Sequence, residues 1–196
     1  MADLYADEKV RFYREWLPLP KNDFRVLAML ADKGGSFKGS LADICRCLSI
    51  STGQAKTNAN LRASIDSLTA NGYIKSQREK NTYHLEIVPK VDELGVARQW
   101  VDDVLYKKKF GTEIVAWEQV LKVLIWIYNH PQEQLITNAE IAADLNVSVN
   151  VVVSAKNVLE REFQSISREV ERHKDFNGDV RTVGQYLGGC TTWSRE

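Results

Sequence analysis

The chain of 196 residues is 44% hydrophobic and 27% charged, with 26 basic and 26 acidic residues and a formal net charge of 0. This balance excludes intrinsic disorder and a polycationic nucleic-acid coat, and the length suits two small domains, each with its own core. The opening MADLYADEKVRFYREW has no basic stretch leading into an apolar run, and no segment reaches the roughly 20 apolar residues that cross a bilayer, so a soluble, cytoplasmic protein with no membrane contact is expected.

After an N-terminal arm over 1–16, the LPLP of residues 17–20 must be extended, because proline restricts itself and its predecessor. Asn22 is then the expected cap of a helix whose Phe24, Leu27, Ala28 and Ala31 recur at helical spacing until Gly34-Gly35 stops it. Ser40 caps a second short helix over 41–48, with Leu41, Ile44 and Leu48 inward. A turn over 49–53 leads to a third helix with the stripe Leu61, Ile65 and Leu68, ended by Asn71-Gly72. The period then falls to 2: strands over 73–77 and 82–88, with Tyr83, Leu85 and Ile87 on one face, flank a polar turn over 78–81. A connecting segment, 91–112, carries a helix with the stripe Leu94, Ala97, Val101, Val104 and Leu105 and with Trp100 nearby. Lys107, Lys108, Lys109 and Gly111 close it, a charge that suits a helix C-terminus.

The same order then recurs. An apolar helix over 117–130 stops before Pro131, Thr137 and Glu140 form a capping box for a helix ending at Leu145, and Asn146-Val147 turn the chain. Ser148 caps a third helix running to about residue 163. Strands over 164–173 and 180–187 pair around Asn177-Gly178. Charge divides the two halves: residues 16–90 hold 11 Lys and Arg against 6 Asp and Glu, a net of +5. Residues 91–196 hold 12 against 16, a net of −4. The expected organisation is therefore a basic domain over 17–90 and an acidic domain over 113–196.

Three helices followed by a hairpin is the order of a winged helix-turn-helix. The segment EIAADLNVSVNVVVSAKNVLE resembles the helix-turn-helix pattern of many bacterial regulators, through Ile141-Ala142, Leu145, Ser148, Val152, Ala155 and Leu159. LADICRCLSISTGQAKTNANLRASIDSLTANGYI is similar to the winged-helix domains of phage and plasmid replication initiators and related mobile-element regulators. Leu41-Ala42, the Ile65 to Leu68 stripe and the Asn71-Gly72-Tyr73-Ile74 exit carry that similarity, and the stretch between Leu48 and Leu61 is longer than usual. The resemblance implies a mainly α fold with small β wings (α+β), in which two winged helix-turn-helix domains are joined by a helix. It implies sequence-specific binding of double-stranded DNA, in transcription regulation or replication initiation, by a protein that is nucleoid-associated when bound.

In such a domain the third helix enters the major groove. With Leu61, Ile65 and Leu68 inward, Ala55, Lys56, Ala59, Asn60 and Ala63 point outward and Arg62 lies at the border. Asn60 suits an adenine edge, Arg62 a guanine or a phosphate, and the alanines permit close approach to thymine methyls. Gln54, Lys56, Thr57 and Asn58 at the helix start suit phosphate or bases, and the wing adds Lys75, Arg78, Lys80 and Asn81. The second domain differs. Its third helix offers Val149, Asn150, Val153, Ser154 and Asn157, with Lys156 either bordering the core or bent out to solvent. No arginine appears on that helix before Arg161. Its wing interleaves Arg168, Arg172, Lys174 and Arg181 with Glu169, Glu171, Asp175 and Asp179, which weakens phosphate attraction. Dimerisation or partner docking through this domain is expected ahead of a second DNA contact, and a homodimer is the expected assembly.

No phosphate loop, nucleophile elbow or metal-ligand spacing is present, so neither enzymatic activity nor a cofactor or metal is expected. His84, His130 and His173 are scattered, and Cys45, Cys47 and Cys190 form neither a CxxC nor an even disulfide set. The alternative from another class is a protein-interaction scaffold of tandem winged helices, of the chromosome-partition accessory type, with little direct DNA binding.

Overall fold

The structure, a computed structural model, describes residues 8–50, 54–106, 110–111, 113–174 and 180–189. Lys107, Lys108, Lys109, Asp175, Asn177, Gly178, Asp179, Cys190 and all but Ser49 and Ile50 of the 49–53 turn lie outside the described residues, as do the side chains of Ala55 and Arg181. The described chain mixes helices with small antiparallel sheets and divides into two compact units, one of residues Val10–Glu93 and one of residues Leu94–Glu196 together with Met1–Lys9. No helix among the described residues is long and apolar enough to cross a membrane.

In the first unit, β1 (Lys9–Tyr13) runs into a single 3-10 turn (Arg14–Trp16). Residues 9–16 of the expected arm contribute core: Phe12 and Trp16 are buried with their rings edge to face, centroids 6.4 Å apart. Helix α1 (Lys21–Asp32) starts one residue before the expected cap. Pro20, extended at φ −54° and ψ 154°, occupies the N-cap position and its carbonyl accepts from the Phe24 amide at 3.0 Å, so Asn22 lies inside the first turn. Gly34 and Gly35, both at positive φ, end the helix as expected.

Strand β2 (Ser36–Ser40) was not expected, because SFKGS has one large apolar residue and hence no readable alternation. A partner creates it. β2 pairs antiparallel with β4 (Thr82–Ile87), which also pairs with β3 (Ile74–Glu79), giving a three-stranded sheet in the order β2-β4-β3. Phe37 and Ser76 both lie opposite Leu85, and Gly39 lies opposite Tyr83. A Cβ at Gly39 would stand 2.8 Å from the Phe37 ring, so a larger residue there would have to displace that ring. Ser40 ends the strand and caps α2 (Leu41–Cys47) in a reciprocal box with Asp43. Helix α3 (Ala55–Ala70) buries Leu61, Ile65 and Leu68 and packs on α1. Asn71 and left-handed Gly72 stop it. The hairpin turn is tighter than the expected 78–81: β3 continues through Arg78 and Glu79, leaving Lys80-Asn81 as a two-residue loop with Lys80 at φ 54°.

The expected connecting helix is replaced by strand β5 (Glu93–Ala97) followed by a shorter helix, α4 (Arg98–Tyr106). The stripe that suggested one helix included Leu94 and Ala97 but left out Val96, which is fully buried. Leu94 and Val96 instead alternate with exposed or half-buried neighbours at the period of a strand. Trp100, Val101 and Val104 do form the buried face of α4.

The second unit continues with α5 (Trp117–Tyr128), buried from Val120 to Ile127, which packs on α7 (Val149–Arg161). Between them α6 (Asn138–Leu145) begins at the expected Thr137–Glu140 capping box and ends at Asn146, left-handed at φ 52°. The Trp126 indole donates to Asp144 Oδ2 at 3.0 Å, tying α5 to α6. Ser148 caps α7 through the Val151 amide. Strands β6 (Ile166–Lys174) and β7 (Val180–Gly189) pair antiparallel with an irregularity at Glu171/Arg172. β6 begins two residues after the expected 164, because Gln164 is left-handed at φ 51° and breaks the extended run. Ile136 makes one antiparallel bridge to Gln185 on β7, another pairing the sequence did not reveal.

Candidate nucleic-acid interface

Helix α3 buries its apolar stripe, and Lys56, Ala59, Asn60, Arg62 and Ala63 are consequently exposed. Four of them, Lys56, Ala59, Asn60 and Ala63, fall at i, i+3, i+4 and i+7 and so share one side of the helix. Gln54 sits extended at the N-cap position without capping the backbone, and its Oε1 accepts from the Thr57 hydroxyl at 3.4 Å. Asn58 is half-buried and turns toward α2, where its Oδ1 accepts from the Cys45 thiol at 4.0 Å. Asn58 therefore positions the helix start rather than joining the exposed row. Burial pushes the Cys45 thiol above its usual value, so it serves as packing, whereas Cys47 two residues on is exposed.

The hairpin divides its basic groups between two faces. Lys75 lies opposite Glu86 on the outer face of the sheet, whereas Arg78 lies opposite Tyr83. The Arg78 Nε donates to the Lys80 carbonyl at 3.0 Å and its guanidinium lies 5.4 Å from the Tyr83 ring centroid, so this arginine braces the turn. Lys80 and Asn81 are exposed at the tip. On the outer face a shallow cavity of 410 Å³ is bordered by Lys38, Lys75, Gln77, His84 and Glu86, where the carboxylate dilutes the positive charge.

Thr57 and Asn60 also line a cleft of 300 Å³ against the start of α1, with Lys21, Asn22 and Arg25 on its other wall. The sequence reading left these three out of the interface. Their spacing on α1, i, i+1 and i+4, was a weak signal of a shared polar side, but nothing local says which helix that side meets.

The second unit closes much of its corresponding helix. Val149 and Asn150 are exposed, but Val153, Ser154 and Asn157 are half-buried. The Asn157 amide donates to Glu113 Oε1 at 3.0 Å. Hydrogen bonds from Ser154 and Asn157, with the charge of Arg161, hold the Glu113 carboxyl below its ordinary range despite some burial. Ser154, expected on an open surface, is thus engaged by a carboxylate of its own chain.

Of the two orientations expected for Lys156, the buried one is adopted, at 1% exposure. Its Nζ donates to Asn138 Oδ1 at 2.6 Å and to Gln185 Oε1, and the Gln185 amide donates to the same Asn138 oxygen at 2.7 Å. Burial, reinforced by the charge of Arg168 and opposed by Glu160, lowers its pKa to about 8. Arg168 pairs with Glu160 at 2.9 Å, while Arg172 is exposed. Glu171 receives His173 Nε2 at 2.8 Å and the Tyr186 hydroxyl at 3.0 Å. His130 stacks on Trp126 with ring centroids 4.1 Å apart. Among the described residues no cluster of His, Cys, Asp and Glu is arranged to hold a metal ion. No protein-family model matches the chain, and no curated protein matches it.

Proposed function

We propose that the chain is a non-enzymatic protein of two winged helix-turn-helix modules that binds double-stranded DNA sequence-specifically through α3 and the β3-β4 hairpin of the first. Its setting would be transcription regulation or replication initiation in a bacterial or mobile-element genome. The observation that carries this reading is the exposed row on α3, where Lys56 and Asn60 stand beside the small side chains of Ala59 and Ala63, with Arg62 adjacent. Asparagine and arginine are the residues that read adenine and guanine edges, and alanines let a helix lie deep in the groove. Lys75, Lys80 and Asn81 supply backbone contacts from the hairpin, with Arg78 shaping its turn.

A gel shift on random duplex DNA at low and moderate salt tests the reading. The triple variant Lys56→Ala, Asn60→Ala, Arg62→Ala is expected to lose binding while its melting temperature holds. Normal binding by that variant would sink the assignment of α3 as the reader.

For the second module the engagement of Ser154 and Asn157 by Glu113 favours dimerisation or partner docking over a second DNA contact, since a reader must offer its polar groups to bases. Val149, 44% exposed, and Asn150 remain as the open end of α7 for such a contact. If the intact chain binds no duplex at any salt, the tandem-scaffold reading replaces DNA recognition.

A further inference from the structure

We infer that the outer face of the β2-β4-β3 sheet is a binding site for a phosphorylated sugar, with Lys38 and Lys75 taking the phosphate and Glu86 a hydroxyl. The strand register builds it. Two rows of side chains cross the three strands next to one another, Lys38–His84–Gln77 and Ser36–Glu86–Lys75, and these six residues border the 410 Å³ cavity. Side chains alternate between the faces of a strand, so His84 and Glu86 stand on the face opposite to buried Tyr83 and Leu85.

The set is open. Lys75 lies directly opposite Glu86, yet no ion pair joins them. Among the described residues Ser36, Lys38, Lys75, Gln77 and Glu86 make no side-chain hydrogen bond or ion pair. His84 Nε2 is 3.9 Å from Glu79 Oε2, beyond hydrogen-bond reach. Arg78 on the same hairpin is by contrast engaged, by the Lys80 carbonyl and the Tyr83 ring.

The chemistry of the lining selects the ligand. Two ammonium groups outweigh the one carboxylate of the lining, and Ser36, Gln77 and His84 add neutral donors. A phosphate monoester carries a charge of about −1.5 to −2 near neutral pH and three strong acceptor oxygens, which suit two lysines and an amide. Glu86 opposes a bare anion, but a carboxylate accepts well from sugar hydroxyls, as acidic residues do from ribose. A sugar phosphate therefore satisfies the lysines and the carboxylate together, whereas inorganic phosphate or a duplex backbone satisfies the lysines alone. The cavity also lies within the range of about 300 to 1,000 Å³ usual for small-molecule sites.

Lys75 belongs as well to the DNA contact proposed above. A ligand held there withdraws its charge from the duplex and weakens DNA binding, a consequence that rests on the DNA-binding reading.

The site is tested without DNA, by calorimetric titration of the full chain with ribose 5-phosphate and glucose 6-phosphate, and with ribose and inorganic phosphate as separate halves. One of the sugar phosphates is expected to bind at least about 10-fold more tightly than either half, and Lys38→Gln with Lys75→Gln to lose about 10-fold or more. Glu86→Ala should weaken the sugar phosphate while strengthening inorganic phosphate, a split that a merely structural role would not produce. Inorganic phosphate binding as tightly as both sugar phosphates, undisturbed binding in the lysine variant, or no binding of either sugar phosphate at millimolar concentration overturns the assignment. Duplex binding that is lost in the lysine variant, with no sugar phosphate bound by wild type, gives the face to the DNA backbone and overturns the small-ligand reading. In anisotropy on duplex DNA, saturating sugar phosphate should make the logarithmic salt slope shallower by about 1. An unchanged slope and affinity overturns the competition and keeps the site; a wild type that binds the sugar phosphate but no duplex overturns the DNA reading instead.

Discussion

Lys156 Nζ lies 2.6 Å from Asn138 Oδ1, inside the second unit, where a charged amine has almost no access to water. The pKa falls from 10.5 to about 8, so the folded state releases this proton before the unfolded chain does. Between those two values the unfolded chain holds more protons, and stability contributed by this site rises with pH; below about 8 both states are protonated and the full burial cost is present. The rise is of order 3 kcal/mol for this site alone. Lys122, lowered to about 8 beside Glu118, acts in the same direction, while Cys45 and Tyr186, both raised, act against it. The Lys156 share is isolated by comparing urea unfolding of wild type and Lys156→Met from pH 7 to 10.5: the wild-type curve should climb more steeply, and parallel curves would exclude the effect.

Glu113→Ala should destabilise the second unit by about 0.5 to 1 kcal/mol in urea, because Asn157 and Ser154 lose an acceptor that water replaces in part. The sign with pH is opposite to that of the lysine. A carboxylate held below its usual 4.5 contributes above that value, and the contribution fades as pH falls through the lower folded value. The gap between wild type and variant should therefore narrow under acid.

The reciprocal boxes at Ser40–Asp43 and Thr137–Glu140 each satisfy two donors of a short helix. Ser40→Ala and Thr137→Ala are each expected to cost about 1 kcal/mol, read by thermal or chemical melting. A serine at position 137 should recover most of the loss.

Lys80 holds a left-handed conformation at the hairpin tip, which costs a non-glycine residue about 1 kcal/mol. Lys80→Gly should raise stability by a similar amount, since Arg78 bonds the backbone carbonyl of residue 80 rather than its side chain. The same substitution should lower DNA affinity and flatten its salt dependence. A stabilised variant with unchanged affinity would remove the hairpin tip from the interface.

The features legible in the sequence were those decided within a few residues. Ser40, Thr137 and Ser148 cap the helices they were expected to cap, and Gly34-Gly35, Asn71-Gly72 and Asn146 stop the chain where short-range geometry demands it. The exposure of Lys56, Asn60 and Arg62 followed from the helical period alone. β2 and the Ile136 bridge exist because distant strands offer them backbone partners, which no local pattern encodes. β5 was hidden differently, since Leu94, Ala97 and Val101 satisfy a helical period by coincidence while the buried pair Leu94 and Val96 repeats at a period of two. Glu113 reaches Asn157 from 44 residues away, and Lys21 and Arg25 meet Asn60 only once α1 has docked on α3, so both ends of the candidate site depended on tertiary structure.

The two hairpins are bordered unequally. β4 has a strand on both sides, paired from Thr82 to Glu86 with β2 and with β3, whereas β7 has β6 on one side and, among the described residues, only the Ile136 bridge to Gln185 on the other. In deuterium oxide the amides of β4 should be among the slowest of the first unit to exchange. Along β7, the Gln185 amide, directed away from β6 and bonded to the Ile136 carbonyl at 2.9 Å, should exchange slowly too. At Gln185 the second hairpin is thus held as the middle strand of the first one is, by a backbone neighbour on each side.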